Sequence, residues 1–547
     1  MKAYSPSGES MDTASLVLII LAIIYVPIWV WVWRCPEKAL KWHLVKYGPL
    51  VMIKTRLGIK AMDRLGKYVL FWRVFGFISK LLAAILFFLM MYMLIVALIN
   101  LPSRIGSGGI GIQYALAIPG FNPMLPLTYG ILALFIAMVV HEMGHGIQSR
   151  ANNCEVDSTG LLYGVIPWGA FCEPNEEQLS KLPRRPQMDI YSAGISINTF
   201  VAAISIVLML LLLSGIAPAA IAGVDEDSDL PGVYSIDKDS PAYDSGIPTS
   251  ALITGIKLSP SDDYTAVTAL SNSRTVTFTS DLEMSPLNTY YIRYITPDGE
   301  CETTAPIQLG ALIKSVTNNS PASSSQLKPL TFLYSMKVLD DGSEAYMISN
   351  PYDFFIFMST TSGGDRVLVT TATLAKDGEI QLVEHETTLT SSGSQGYLGI
   401  TVTTSGFTVT TPSIMLQKAE SPFYGCDTPI SYVQGLFSYL AGPVNGMDPI
   451  SDSITWWYDT PNGNTTWILI KTLFWIFWID ILLAISNALP AYPFDGGFLF
   501  EGGINWLLER LGIKEEERRK KLSESISGSI SNVVLVMFFL VLLTFLI

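Results

Sequence analysis

Six apolar runs punctuate the chain, at about 15–33, 76–100, 125–147, 189–215, 466–489 and 526–547. A helix of about 20 apolar residues crosses the hydrocarbon layer of a bilayer, so the pattern predicts six membrane helices. Between the fourth and fifth runs, residues 216–465 change character. They are rich in Thr, Ser and Asp and alternate apolar with polar positions, as in Thr275-Val276-Thr277-Phe278-Thr279, which is the period of strands. Basic residues in the connections set the orientation. The first connection carries Arg34, Lys38, Lys41, Lys46, Lys54, Arg56, Lys60, Arg64, Lys67 and Arg73, which puts it in the cytoplasm. Counting forward, the loop with Arg150, Lys181, Arg184 and Arg185 is inside and 216–465 is outside. The loop 501–525, with Arg510, Lys514, Arg518, Arg519, Lys520 and Lys521, is inside again. The first connection also interleaves Trp42, Leu44, Val45, Leu50, Val51, Ile53 and Leu57 with its lysines. It reads either as an amphipathic segment on the inner leaflet or as a solvated positive loop.

Composition narrows the class. Half of the 547 residues are hydrophobic and only 15% are charged, too apolar for a soluble domain. A net charge of −13 argues against a nucleic-acid partner. The first apolar run is long and followed by Arg34, which fits a retained anchor better than a cleaved leader. Five cysteines over this length form no disulfide framework. Cys301 and Cys426 alone lie in the outer segment and are expected to pair there; Cys35, Cys154 and Cys172 are expected free.

The outer segment contains a repeat. Gly232–Ile247 reads GVYSIDKDSPAYDSGI and Gly310–Leu327 reads GALIKSVTNNSPASSSQL. Each is followed by an acidic helix start, at Asp281-Leu282 and Asp353-Phe354, and then by an Asp-Gly-Glu turn at 298–300 and 377–379. Strand, Ser-Pro-Ala helix, second helix, strand and Asp-Gly hairpin resemble a PDZ domain, here two in tandem. Such domains bind extended chain ends by strand addition. The alternative is a structural β-rich ectodomain without a peptide groove. Asn318-Asn319-Ser320 and Asn464-Thr465-Thr466 are glycosylation sequons on the same side.

The chemistry concentrates at the end of the third run, in His141-Glu142-Met143-Gly144-His145. Histidines four apart sit within about 40° of each other on a helix, so both can ligate one metal, with Glu142 placed to act on its water. Ionisable groups within a bilayer are costly and as a rule functional. The fifth run ends in Asn487-Ala488-Leu489-Pro490-Ala491-Tyr492-Pro493-Phe494-Asp495-Gly496-Gly497. The orientation count puts this end in the cytoplasm too, so Asp495 and His145 should share one side and depth. Two histidines and a carboxylate leave one position open on a tetrahedral zinc, the catalytic pattern. Asp480, seven residues before Asn487, reads as a packed neutral carboxyl or as an outer support for a ligand. His43 and His385 read as loop and surface residues.

Together these segments resemble the site-2 protease family of intramembrane zinc metalloproteases, most of all its archaeal members. The likeness rests on HEMGH at 141–145 and on N-x-x-P-x-x-x-x-D-G at Asn487–Gly496. It extends to Gly160-Leu161, Ile166–Phe171, Glu173-Pro174, Ala193-Gly194 and Asn198. It implies that His141, His145 and Asp495 bind Zn²⁺, that Glu142 is the general base, and that Asn487 hydrogen-bonds the substrate backbone or the oxyanion. It also implies that Gly160–Pro174 forms a membrane-dipping hairpin that pairs with unwound substrate, although a packed inner loop fits those residues equally. The expected fold is a polytopic α-helical membrane protein of about six spans with an extracytoplasmic β-rich α+β insert of tandem PDZ-like domains. Its parts are two spans with their basic connection (1–124), the HExxH core (125–215), the insert (216–412), a linker with an amphipathic segment (413–465), the second core helix (466–500), and a cytoplasmic loop with the last span (501–547). The expected activity is zinc-dependent cleavage of single-span membrane proteins near the cytoplasmic face, in the plasma membrane, with the lipid bilayer and transmembrane substrates as partners and the oligomeric state open. The rival is an inactive membrane-anchored scaffold that binds peptides through its ectodomain. A metal transporter lacks the paired charged midplane helices it would need.

Overall fold

A computed structural model describes residues 13–101, 118–119, 122, 125–165, 167–221, 229–272, 274–303, 305–340, 342–374, 380–393, 395–440, 442 and 449–543. The chain divides into two compact units, one of residues 1–211, 443–446 and 468–547, the other of 212–442 and 447–467.

The first unit is helical. Its long helices are α1 (Thr13–Arg34), α2 (Val69–Ile99), α3 (Leu127–Ala151), α4 (Arg184–Leu213), α5 (Asn464–Asn487), α6 (Asp495–Arg510) and α7 (Glu516–Leu543). Five of these, α2, α3, α4, α5 and α7, are long and apolar enough to cross a membrane, which makes this a multi-pass membrane protein. The first expected run falls in α1, whose apolar part among the described residues, Ile20–Arg34, is shorter than a span. Helix α7 begins at Glu516, well before its apolar run. The cause is a stripe at four-residue spacing, Ser523, Ser527 and Ser531, all buried against neighbouring chain. A sequence that reads as a polar loop is therefore helix, because small hydroxyl side chains let another helix come close.

The basic first connection holds a β-hairpin between two short helices, Pro36–Leu40 and Ile59–Gly66. Strands β1 (Leu44–Tyr47) and β2 (Leu50–Thr55) form a hairpin that pairs with β3 (Val156–Tyr163) and β4 (Pro167–Pro174) in one antiparallel sheet, in the order β1-β2-β3-β4. Helix α1 fastens its turn. Tyr25 Oη donates to Pro49 O at 2.6 Å, and the Trp29 and Trp33 indoles donate to Gly48 O at 3.3 and 3.2 Å. Lys54 reaches across β3 to Glu173 at 2.7 Å, and Ser158 donates to the same carboxylate at 2.5 Å. Those bonds, Lys54 first, hold the Glu173 carboxyl below the usual carboxylate range.

The second unit is built on one large sheet, and the two sequence repeats are nested in it rather than consecutive. Strands β5 (Gly232–Ile236), β6 (Leu252–Lys257), β7 (Thr265–Ser271), β8 (Val276–Ser280), β9 (Thr289–Thr296) and β10 (Gly299–Glu302) belong to the first copy. Strands β11 (Ala311–Val316), β12 (Phe332–Val338), β13 (Arg366–Leu374), β14 (Ile380–Thr388) and β15 (Ile400–Thr404) form the second, and β16 (Phe407–Thr410) then returns to pair with β5. Each copy keeps its own core. Phe278, Tyr290, Ile253 and Ile256 pack with Phe407 and Val409 of the returning strand, whereas Leu333, Met336, Phe354 and Val369 form a separate cluster.

Both Ser-Pro-Ala helices form, Pro241–Asp244 and Pro321–Ser324, each capped by the preceding serine, Ser240 and Ser320. The second expected helix exists only in the second copy, as Pro351–Ser359, where Asn350 caps two backbone amides and Pro351 starts the turn. Residues 281–288 of the first copy form turns instead. Ser280 Oγ accepts from Leu282 N at 3.3 Å, a single weak tie, and Pro286 follows within six residues. The turn at 377–379 lies outside the described residues. Cys301 and Cys426 are both free, correcting the expected disulfide: Cys301 is exposed on edge strand β10, whereas the Cys426 thiol donates to Ser431 O at 3.2 Å in its own loop. The passages into and out of this unit meet where Tyr458 pairs with Pro218. Beside them Trp457 is buried and donates to Ser250 O at 2.8 Å.

Candidate active site

His141, Glu142 and His145 occupy successive turns of α3, and α3 meets α4 where neither helix carries a side chain. A Cβ on Gly144 would stand 2.9 Å from Ala193 O. A Cβ on Gly194 would strike both imidazoles, reaching within 2.6 Å of His141 Cε1 and 2.8 Å of His141 Nε2. Asn198, one turn further along α4, donates to Ala137 O at 3.3 Å and ties the helices again. Asp495 arrives from the other end of the chain as the first residue of α6. The turn that aims it is crowded. A Cβ on Gly496 would lie 2.5 Å from Leu489 O, and one on Gly497 2.8 Å from Ala491 C, so only glycine lets α6 start there.

Three atoms converge. Asp495 Oδ2 is 3.2 Å from His141 Nε2 and 3.2 Å from His145 Nε2, and the two Nε2 atoms are 3.3 Å apart. His145 Nδ1 lies 2.8 Å from Ile190 O; a carbonyl only accepts, so this nitrogen carries the proton and the neutral ring's Nε2 presents a lone pair. Asp495 Oδ2 is buried and receives no hydrogen bond among the described residues. The His145 lone pair and this carboxylate oxygen face one another in a buried place and repel unless a cation or a proton lies between them. The size fits too: a tetrahedral zinc with ligands at about 2.0–2.1 Å has edges of about 3.3–3.4 Å. Two imidazoles with one carboxylate suit zinc better than magnesium or calcium, which prefer oxygen. The residues present therefore fit a zinc ion.

Glu142 stands beside this triangle, and its Oε2 accepts a 2.7 Å hydrogen bond from Cys172 N on β4. Among the described residues β4 ends its sheet and pairs with β3 alone, and Cys172 N–H points away from β3. Asn487 ends α5, and its amide donates to Leu483 O at 3.0 Å within its own helix; no bond joins it to the histidines or Asp495 among the described residues. Asp480 is fully buried with neither oxygen partnered among the described residues. His385 lies far along the chain in the second unit. It is no open surface residue, for it bridges Ser325 O at 2.9 Å and Thr371 Oγ1 at 3.2 Å. His43 sits in a left-handed turn, φ +59°, before β1. Sequence reasoning missed the Ile190 carbonyl and the Cys172 amide, which carry no side-chain signature.

The helices and this constellation define a class, a membrane protein with an HExxH helix whose two histidines meet an aspartate from a distant Asp-Gly turn, a group that could hold a metal ion. The profile of peptidase family M50 matches residues 129–521, and the chain belongs to that family, the site-2 protease family. It is also 32% identical over 203 residues to an uncharacterized protein of Methanocaldococcus jannaschii, a match covering 37% of this chain and 52% of the relative. The chain thus spans about half the length of that curated relative.

Proposed function

We propose that the protein is an intramembrane zinc endopeptidase that hydrolyses peptide bonds within the membrane segments of single-span proteins, near the cytoplasmic face of the plasma membrane. One observation carries the reading: three atoms able to ligate a metal, 3.2–3.3 Å apart, with Glu142 alongside them in the helix that supplies both histidines. His141, His145 and Asp495 would hold the ion, which when bound acidifies a water and polarises the scissile carbonyl. Glu142 accepts the proton of the attacking water and returns it to the leaving amine. Asn487 can serve the substrate backbone or the oxyanion once its amide leaves Leu483 O. A helical substrate shields its own amides, so it must unwind before it is cut. The free edge of β4 offers the extended segment a strand to pair with, directly beside Glu142. The nested β units outside the membrane screen which extended chain ends approach.

The test is Glu142→Gln in detergent-purified protein, incubated with single-span substrates. Zinc content should stay at one per chain while cleavage falls by about 10³-fold or more. Retained cleavage would remove the general-base role, and a wild-type protein without zinc would remove the whole reading.

A further inference from the structure

Away from the metal-facing residues, α2, α3 and α4 meet in a buried polar node. Lys80 of α2 pairs with Asp189 of α4, whose side chain is 7% exposed. Gln148 of α3 is fully buried and donates to Trp72 O of α2 at 3.1 Å. Gly76 makes the node possible, since a Cβ there would stand 2.7 Å from both Asp189 Cγ and Gln148 Nε2. Next to Lys80, Ser79 O accepts from Ser196 Oγ of α4 at 3.3 Å.

A buried ion pair adds little net stability, because desolvation offsets the attraction; its common use is to fix one arrangement among several. What it fixes here follows from position. Asp189 directly precedes Ile190, whose carbonyl takes the Nδ1 proton of His145. Gly194, one turn later, is the surface on which both imidazoles rest. The axial and rotational setting of α4 therefore decides which His145 nitrogen faces inward and how closely the rings approach Asp495. We propose that Lys80 and Asp189 are positioning residues for the metal centre, setting α4 so that Ile190 O selects the His145 tautomer that leaves Nε2 free to bind. This rests on the zinc reading and assigns the pair a task beyond holding helices together. Partners one bond removed from a metal ligand govern its orientation and basicity.

The experiment measures zinc affinity of the full-length protein in detergent by chelator competition, together with thermal unfolding and the visible spectrum of the Co²⁺-substituted form. Lys80→Met leaves Asp189 unpaired and should lower both stability and zinc affinity. In Lys80→Met/Asp189→Leu the unpaired charge is gone and stability should return. Zinc affinity should nevertheless stay about 10–100-fold below wild type, with an altered Co²⁺ spectrum. Recovery of affinity along with stability would overturn the proposal, leaving the pair a mere packing element. Should the double variant not fold, Gly76→Ala keeps both charges and displaces Asp189; it should weaken zinc retention, and wild-type retention there would equally overturn the proposal. Wild-type protein that binds no zinc would instead refute the underlying metal reading.

Discussion

Gly194→Ala separates the stability of α4 from the geometry of the metal centre. The new methyl would lie 2.6 Å from His141 Cε1 and 2.8 Å from His141 Nε2, and against His145 Nε2 as well. Carbon contacts relax near 3.5 Å, so the rings must retreat by about 0.7–0.9 Å. Zinc–ligand distances tolerate about 0.2 Å. A retreat of that size takes both Nε2 atoms out of bonding range of one ion, and zinc affinity should fall by about 100-fold or more. Inside a helix, Gly→Ala otherwise stabilises by about 0.5–1 kcal/mol, so the fold should not suffer in proportion. The assay is zinc retained after graded chelator, read beside helical content and thermal unfolding. A variant that holds zinc like wild type would show that the rings do not rest on Gly194 and that the convergence of the three atoms was misread.

Asp495→Ala removes the single anionic member of the triangle, and metal analysis of the purified variant should show a clear loss of zinc; unchanged stoichiometry would strike it from the ligands. Trp457→Ala empties a site that is 1% exposed and packed on Gly232, and should cost about 3–5 kcal/mol, read as earlier denaturant unfolding and faster proteolysis of the second unit. The Glu173 carboxyl is held below its ordinary range in the folded state, so its ties to Lys54 and Ser158 stabilise the sheet above the ordinary carboxylate value and are lost as pH falls through the lowered one. Both side chains are about one-third exposed, which limits the contribution to under about 1 kcal/mol. Hydrogen exchange of the β4 amides should rise in that acid window, and Lys54→Met should shrink the step to the part owed to Ser158.

The residues that meet at the site were legible because their chemistry is local. Four-residue spacing places two imidazoles on one helix face whatever surrounds them, and Pro, Asp and two glycines announce a turn. Basic loops then put both segments on the same side. What stayed hidden depends on partners far along the chain. Lys54 looked like one more positive-inside lysine, although its partner, Glu173, lies 119 positions away. The hairpin of β1 and β2 therefore left no mark in the sequence. In the second unit, evenly spaced repeats suggested two domains in a row, since nothing in Phe407–Thr410 says that this strand returns to β5. Asp281 and Asp353 looked equivalent as helix starts, yet only the second has an asparagine cap and a proline behind it. The α7 serines hid a helix because hydroxyls spaced by four resemble loop composition.

The two sides of the site are held by different forces. The metal-facing side is fixed by steric closeness, with Gly144, Gly194, Gly496 and Gly497 each pressed against backbone or imidazole so that no side chain fits. Close packing of this kind changes in steps rather than continuously, so the triangle keeps its dimensions while other parts move. Glu142 is different: its 2.7 Å bond from Cys172 N belongs to the last strand of its sheet, which is braced by a half-exposed ion pair. A single hydrogen bond is worth about 0.5–1.5 kcal/mol net and is readily exchanged for another. An extended segment laid along β4 would compete for that amide and free Glu142 for proton transfer, while the ligand triangle stays as it was. On the proposed reading the rigid half would define where an ion sits, and the exchangeable half would tie activation of Glu142 to the arrival of a strand.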